Sequence, residues 1–216
     1  MVSYSEGSIF STQRMDRNVS IAALPPWNVD QPPPVPVRRF SVNEYHRLGE
    51  IGVLTEDDRV ELLEGEIVEM TPIGSYHAAC VSRLNRMLTL QLGQTAIVSV
   101  QNPIRLNDQS EPQPDITLLK PRPDFYKGGH PQPDDILLVI EVADSSVNLD
   151  RGTKLPLYAK AGISEVWIVD LTGLTVETYW QPSAQGYESI SQLNDSEHVT
   201  SESFPALNIS VKEILS

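Results

Sequence analysis

Residues 136–142 read Ile-Leu-Leu-Val-Ile-Glu-Val, an apolar run with one carboxylate in it, and Val166-Trp167-Ile168-Val169 is a second apolar run that ends on Asp170. Continuous apolar runs of this kind mark strands covered on both faces, the buried middle of a sheet. Between them, residues 144–150 are polar, and a helix is predicted from there to about Ala161, stopped by Gly162. Strand, helix and strand within roughly 35 residues form a crossover unit, so the two strands are expected to be parallel neighbours. That unit makes the chain α/β.

The flanking pattern fills in the rest. Ser41-Val42-Asn43-Glu44 has the spacing of a capping box and predicts a short helix; Thr55 is a second candidate start. Val60–Leu63 and Ile67–Met70 flank Glu64-Gly65 and predict a hairpin with a glycine turn. Ser75–Leu92 reads as an amphipathic helix, with Ala79, Leu84, Met87, Leu88 and Leu92 on its apolar side and Gly93 as its stop. Strands are predicted at Ile97–Val100, around Pro103–Leu106 and at Ile116–Leu119, followed by a loop over residues 121–134. A closing hairpin (176–180 and 187–190) and a last helical turn from Ser210 complete the domain. Residues 1–37 are polar and then proline-rich, which predicts a flexible arm ahead of a single domain over 38–216.

Composition narrows the function. At 216 residues and 40% hydrophobic, the chain has material for one core of ordinary size. No stretch nears the roughly 18 consecutive apolar residues of a membrane span, and Met1–Phe10 lacks the basic-then-apolar pattern of a secretory signal. The single cysteine, Cys80, excludes an internal disulfide framework and a cysteine-rich zinc site. These features predict a cytoplasmic protein. The net charge of −13 counts against a simple basic DNA-binding surface. An acidic chain can still act on nucleic acid where a divalent ion offsets the charge of its site.

Asp115 sits in Gln113-Pro114-Asp115-Ile116, at the entrance of one predicted strand, and Glu141 lies near the end of another. A mixed sheet can bring those two strand ends together. Hydrolysing a phosphodiester requires an activated water and neutralised phosphoryl oxygens, which one or two divalent ions supply. Magnesium takes oxygen ligands, commonly one or two carboxylates, and a nearby lysine stabilises developing negative charge. Lys154 suits that role. Asp150, Lys154 and Tyr158 are spaced by four and share one stripe on a continuous helix. Pro156 complicates this, because proline is comfortable only in a first helical turn. The alternative is a helix capped by Thr153, with Asp150 left in the loop.

Residues 60–171 resemble the Uma-two family, which is assigned to the restriction-type endonucleases of the PD-(D/E)XK superfamily. The resemblance lies in Arg59–Ile67 (RVELLEGEI), Pro112–Ile116 (PQPDI), Val139–Val142 (VIEV) and Asp150–Asp170 (DRGTKLPLYAKAGISEVWIVD), about half of the chain. It implies a restriction-endonuclease-like core, a mixed β-sheet flanked by helices. It also implies Mg2+ (or Mn2+) held by Asp115, Glu141 and the backbone carbonyl of Val142, with Glu61 assisting. The superfamily's simplest pattern puts its lysine two residues after the glutamate, where this chain has Ala143, so the lysine would come from Lys154. DNA as substrate and a homodimer that cuts both strands follow from the same resemblance.

Among other residues, His77 and Gln113 are candidate substrate contacts, while Trp167 and Tyr158 read as packing, and Asp144, Ser145 and Ser146 as loop-shaping. Cys80 has no partner base in sight and is not expected to be a nucleophile. Two rival functions remain: a catalytically silent interaction module that keeps the nuclease fold, and a metal-free hydrolase using Asp115 and Glu141 as an acid/base pair.

Overall fold

The computed structural model describes residues 37–216 apart from Glu56 and Ser145, so the expected arm lies, but for Val37, outside the described residues. A mixed sheet of six strands organises residues 38–216. Its order is β3 (Ile97–Val100), β4 (Ile116–Leu119), β5 (Ile136–Ala143), β6 (Glu165–Asp170), β7 (Thr175–Ser183) and β8 (Gly186–Leu193). Only β5 and β6 run parallel, with Glu141 opposite Ile168, and every other neighbour is antiparallel. The expected crossover is therefore present, and it sits at the centre of the sheet.

Both faces of that centre are covered, which is why β5 and β6 carry almost no polar residues. Leu138, Ile140 and Val142 of β5 join one core with Leu84, Leu88 and Leu92 of helix α2 (Ser75–Leu92). Val139 and Ala143 join the opposite core with Leu157 and Tyr158 of helix α4 (Leu155–Lys160). Alternation along the strand thus sends Glu141 toward α4, into the second core. Burying one large aliphatic side chain is worth about 2 kcal/mol, so the two layers hold β5 firmly. Small elements close the first face: β9 (His198–Thr200) and β10 (Asn208–Ser210) pair with each other, and α5 (Val211–Leu215) follows with Ser210 as its cap.

The capping box holds as predicted. Ser41 Oγ accepts from the Glu44 N–H at 3.2 Å, and Glu44 Oε2 accepts from the Ser41 N–H at 3.0 Å, opening α1 (Val42–Glu50). The hairpin of β1 (Val60–Leu63) and β2 (Glu66–Glu69) turns through Glu64 and Gly65, with φ of 48° and 80°. Two successive positive φ values match the right-handed twist of a two-residue hairpin. A Cβ on Gly65 would meet Arg39 Cβ at 2.5 Å, so glycine is required there on both counts.

Four expectations need correction. Thr55 starts no helix: its N–H and hydroxyl both bond the Asp58 carboxylate, closing a turn. Pro103–Leu106 is not a strand. Ile104 donates to the carbonyl of Pro112 and Arg105 to that of Pro131, and neither proline has an N–H to return, so no ladder forms. On α2, Ala79 is exposed, and Cys80 and Val81 take its place on the buried face. The helical run begins earlier than expected: Val147–Asp150 are not loop but form a helical turn, α3 (Val147–Leu149), and the opening of a π turn (Asp150–Lys154).

Candidate active site

The π turn decides where the charged residues point. Pro156 cannot donate to Gly152, and its ring would collide with that carbonyl in a regular helix. The backbone responds by widening: the Leu155 N–H bonds back to the Asp150 carbonyl, five residues earlier, and φ/ψ stay helical through Lys154. Asp150 and Lys154 consequently stay on one helical run with Tyr158, as the spacing of four suggested, and Thr153 is no cap. The widened turn is a common feature of functional helices.

Antiparallel pairing of β4 with β5 sets Ile116 opposite Ile140, bringing the entrance of β4 to the end of β5. Asp115, one residue outside β4, lies there beside Glu141. Asp115 Oδ2 accepts from the Val142 N–H at 2.9 Å and lies 3.0 Å from His77 Nε2; its Oδ1 accepts from Gln101 Nε2 at 3.1 Å. Glu141 Oε2 is 3.4 Å from the Asp115 N–H, and Glu141 Oε1 accepts from the Tyr158 hydroxyl at 2.6 Å. Lys154 Nζ sits 3.2 Å from Glu61 Oε2, 3.3 Å from Glu141 Oε1 and 4.0 Å from Asp150 Oδ1. Ser146 donates to Asp150 Oδ2 at 2.7 Å, and the Gln113 N–H donates to Glu61 Oε2 at 3.0 Å. Apart from Tyr158 and Val142, these residues line one cleft.

The electrostatics are lopsided. Glu61, Glu141 and Asp150 surround the Lys154 ammonium, Asp115 is bound to His77, and Arg59 also lines the cleft; Glu61, Glu141, Asp150 and Lys154 are each at most 5% exposed. Burial raises the Glu141 carboxyl to about 8, with Asp150 and Asp115 adding repulsion against the pull of Lys154. Asp150 is raised for the same reason. Burial alone would lower Lys154, but Glu141, Glu61 and Asp150 outweigh it and hold the ammonium protonated. The hydrogen bond to Asp115 raises His77 against the opposing effect of burial. Such a surplus of buried oxygens over positive charge is the chemistry of a hard cation's site.

All the expected acids and Lys154 converge. Val142 makes its contact to Asp115 through its N–H; on an extended strand the carbonyl of the same residue leaves toward the same side. His77 is bound to Asp115, with Nδ1 buried and unpartnered. Gln113 spends its side-chain N–H₂ on the Gln101 carbonyl at 2.6 Å, so that group holds the wall of the cleft together. Tyr158, read as packing, also has a polar task, because its hydroxyl fixes Glu141. Gln101 gave no signal in the sequence, and Ser146 read only as loop-shaping: Gln101 reaches Asp115 as it leaves β3 with φ of 50°.

A family model described as "Uma2: Putative restriction endonuclease" matches residues 42–212. The chain belongs to this family. Among solved structures, it is similar to a crystal structure described as a putative nuclease belonging to DUF820 from Anabaena variabilis ATCC 29413. The identity is 19% and the TM-score 0.60, over 77% of this chain and 95% of that one. That likeness establishes the restriction-endonuclease-like fold for the Uma2 chain. No curated protein matches it significantly. Among the described residues, no helix is long and apolar enough to cross a membrane.

Proposed function

We propose that this Uma2 protein is a metal-dependent endonuclease that hydrolyses phosphodiester bonds in DNA. The observation carrying the reading is the convergence of Glu61, Asp115, Glu141, Asp150 and Lys154 on one cleft. Asp115, Glu141 and the Val142 carbonyl would hold Mg2+ or Mn2+. When bound, the ion neutralises phosphoryl charge and makes water a better nucleophile.

The protein's own groups do the rest. Tyr158 and the Asp115 N–H orient Glu141, and the Val142 N–H, His77 and Gln101 orient Asp115. Lys154, kept protonated by its acids, turns from Glu141 to a non-bridging oxygen of the scissile phosphate and stabilises its charge in the transition state. Glu61 retains the other side of the ammonium and keeps it aimed. Water adds to phosphorus, one P–O bond breaks, and the departing oxygen takes up a proton to leave a hydroxyl and a phosphate monoester. Domain 38–216 carries the whole site, and the protein acts in the cytoplasm as a homodimer, since cutting both strands at once takes two clefts.

One observation favours the silent-module alternative: Lys154 is already paired with three acids. Nicking of supercoiled plasmid decides. The nuclease reading expects cleavage with Mg2+ or Mn2+, none with chelator, and loss in Asp115→Asn. No cleavage by the wild type across metals and substrates selects the silent module. Full activity in chelator selects the metal-free acid/base hydrolase.

A further inference from the structure

A second cluster lies apart from this site, with two of its members, His46 and His130, lining a different cleft. His46 on α1, Glu111 in the segment beside β1, and His130 in the loop before β5 each offer a ligand atom, all within 4.8 Å of one another. We propose that these three residues form a site for a borderline divalent ion of the zinc class, distinct from the nuclease cleft and serving as a staple.

Glu111 carries the argument. It is 3% exposed, its Oε1 lies 2.6 Å from His46 Nε2, and its Oε2 is buried with no hydrogen-bond partner among the described residues. A buried carboxylate oxygen left bare is destabilising, because it has given up water and gained no donor in return. A simple His46–Glu111 ion pair leaves that oxygen unsatisfied and gives His130 no task. A cation shared by all three groups accounts for both. The two imidazoles are exposed, and their rings stand edge-on at 70° with centroids 6.0 Å apart, so either can swing without disturbing the core.

The donor set selects the ion. Two imidazole nitrogens and one carboxylate suit zinc far better than magnesium, which takes oxygen ligands. Zinc–ligand bonds of about 2.0–2.2 Å place tetrahedral neighbours about 3.3 Å apart. The His46–Glu111 contact would open by less than about 1 Å, and the widest separation would close by about 1.5 Å. His46 and His130 share their cleft with Tyr45 and Asp58, which leaves water a path to the ion. The ion would join α1, the β1 edge and the loop of residues 121–132. Glu111 pairs with Leu62, the neighbour of Glu61, through its N–H to the Leu62 carbonyl at 2.8 Å. The staple would therefore brace the strand that delivers Glu61.

The full chain with Asp115→Asn, which cripples the other cleft, is stripped with chelator and titrated with ZnCl2 by calorimetry, with thermal melting in parallel. One equivalent is expected to bind and raise the Tm. His46→Ala and His130→Ala, both at exposed positions and each checked for folding by circular dichroism, are each expected to weaken binding by about tenfold or more. Absence of zinc binding, or unchanged binding in both histidine variants, overturns the proposal.

Discussion

Arg151 and Lys154 sit three residues apart on the same helical run, and each meets buried acids, yet the two clusters are built on opposite accounts. Arg151 forks onto Glu177 through Nε at 3.0 Å and Nη2 at 2.7 Å, and onto Asp170 at 2.8 Å. Asp170 Oδ1 accepts from the Thr172 and Gly173 N–H groups, and Glu177 Oε2 from the Tyr179 hydroxyl. Two acids thus share one guanidinium and have a fixed donor for every oxygen. Around Lys154, three acids share one ammonium with Asp115 close beside them, and burial lifts Glu141 to about 8. Burial of an acid is therefore no mark of function in this molecule. The mark is acids in excess of the compensating positive charge.

That comparison can be broken in several places. The largest effect is expected from Glu141→Gln, which removes a ligand: metal-dependent nicking falls by at least about a thousandfold, while the metal-free protein melts no lower than wild type. Loss of stability comparable to loss of activity would make Glu141 structural. Arg151→Ala is expected to do the reverse, costing about 2–3 kcal/mol in urea unfolding because two acids lose their counterion, with activity per folded molecule retained. A rate loss as deep as that of Glu141→Gln would merge the two clusters into one site.

Tyr158→Phe removes one hydrogen bond to Glu141 and leaves the ring in the core. Metal affinity is expected to weaken by about tenfold, measured as the Mg2+ dependence of the nicking rate, with a stability loss of about 1 kcal/mol. The smallest effect concerns Glu165. Burial raises its carboxyl, against hydrogen bonds from Ser201, Trp167 and backbone. An acid raised on folding contributes stability fully below its unfolded pKa, and that contribution is lost as pH rises through the folded value. Glu165→Gln should therefore gain on wild type as pH climbs from about 4 to 7. Melting curves at several pH values check this; a gap that narrows in the variant's disfavour reverses the sign.

The parts of the fold legible in the sequence were those with a strong period. Ser75–Leu92, the hairpin through Gly65 and the strands at 97–100 and 116–119 stand where apolar spacing and glycine put them. The crossover was legible because two buried strands cannot hide their composition. Strands β9 and β10 were not, being three residues each with a single buried side chain apiece. Pro103–Leu106 looked like a strand because apolar content is visible and a missing return donor, at Pro112 and Pro131, is not. In the site, Asp115, Glu141 and Glu61 were legible from strand context and family resemblance. Lys154 depended on Pro156, and spacing alone could not say that the helix absorbs it as a π turn. Tyr158 shows the commonest blind spot: its ring explained its burial so well that its hydroxyl went unread.

The most direct measurement is a Mn2+ titration followed by electron paramagnetic resonance of the free ion, in a His130→Ala background so that the second cluster does not count. The account predicts tight uptake by that protein, loss of it on adding Glu141→Gln, and retention on adding Asp170→Asn. Equal uptake with and without Glu141→Gln, or none in the parent, would contradict the claim that the acid surplus around Lys154 is a cation site.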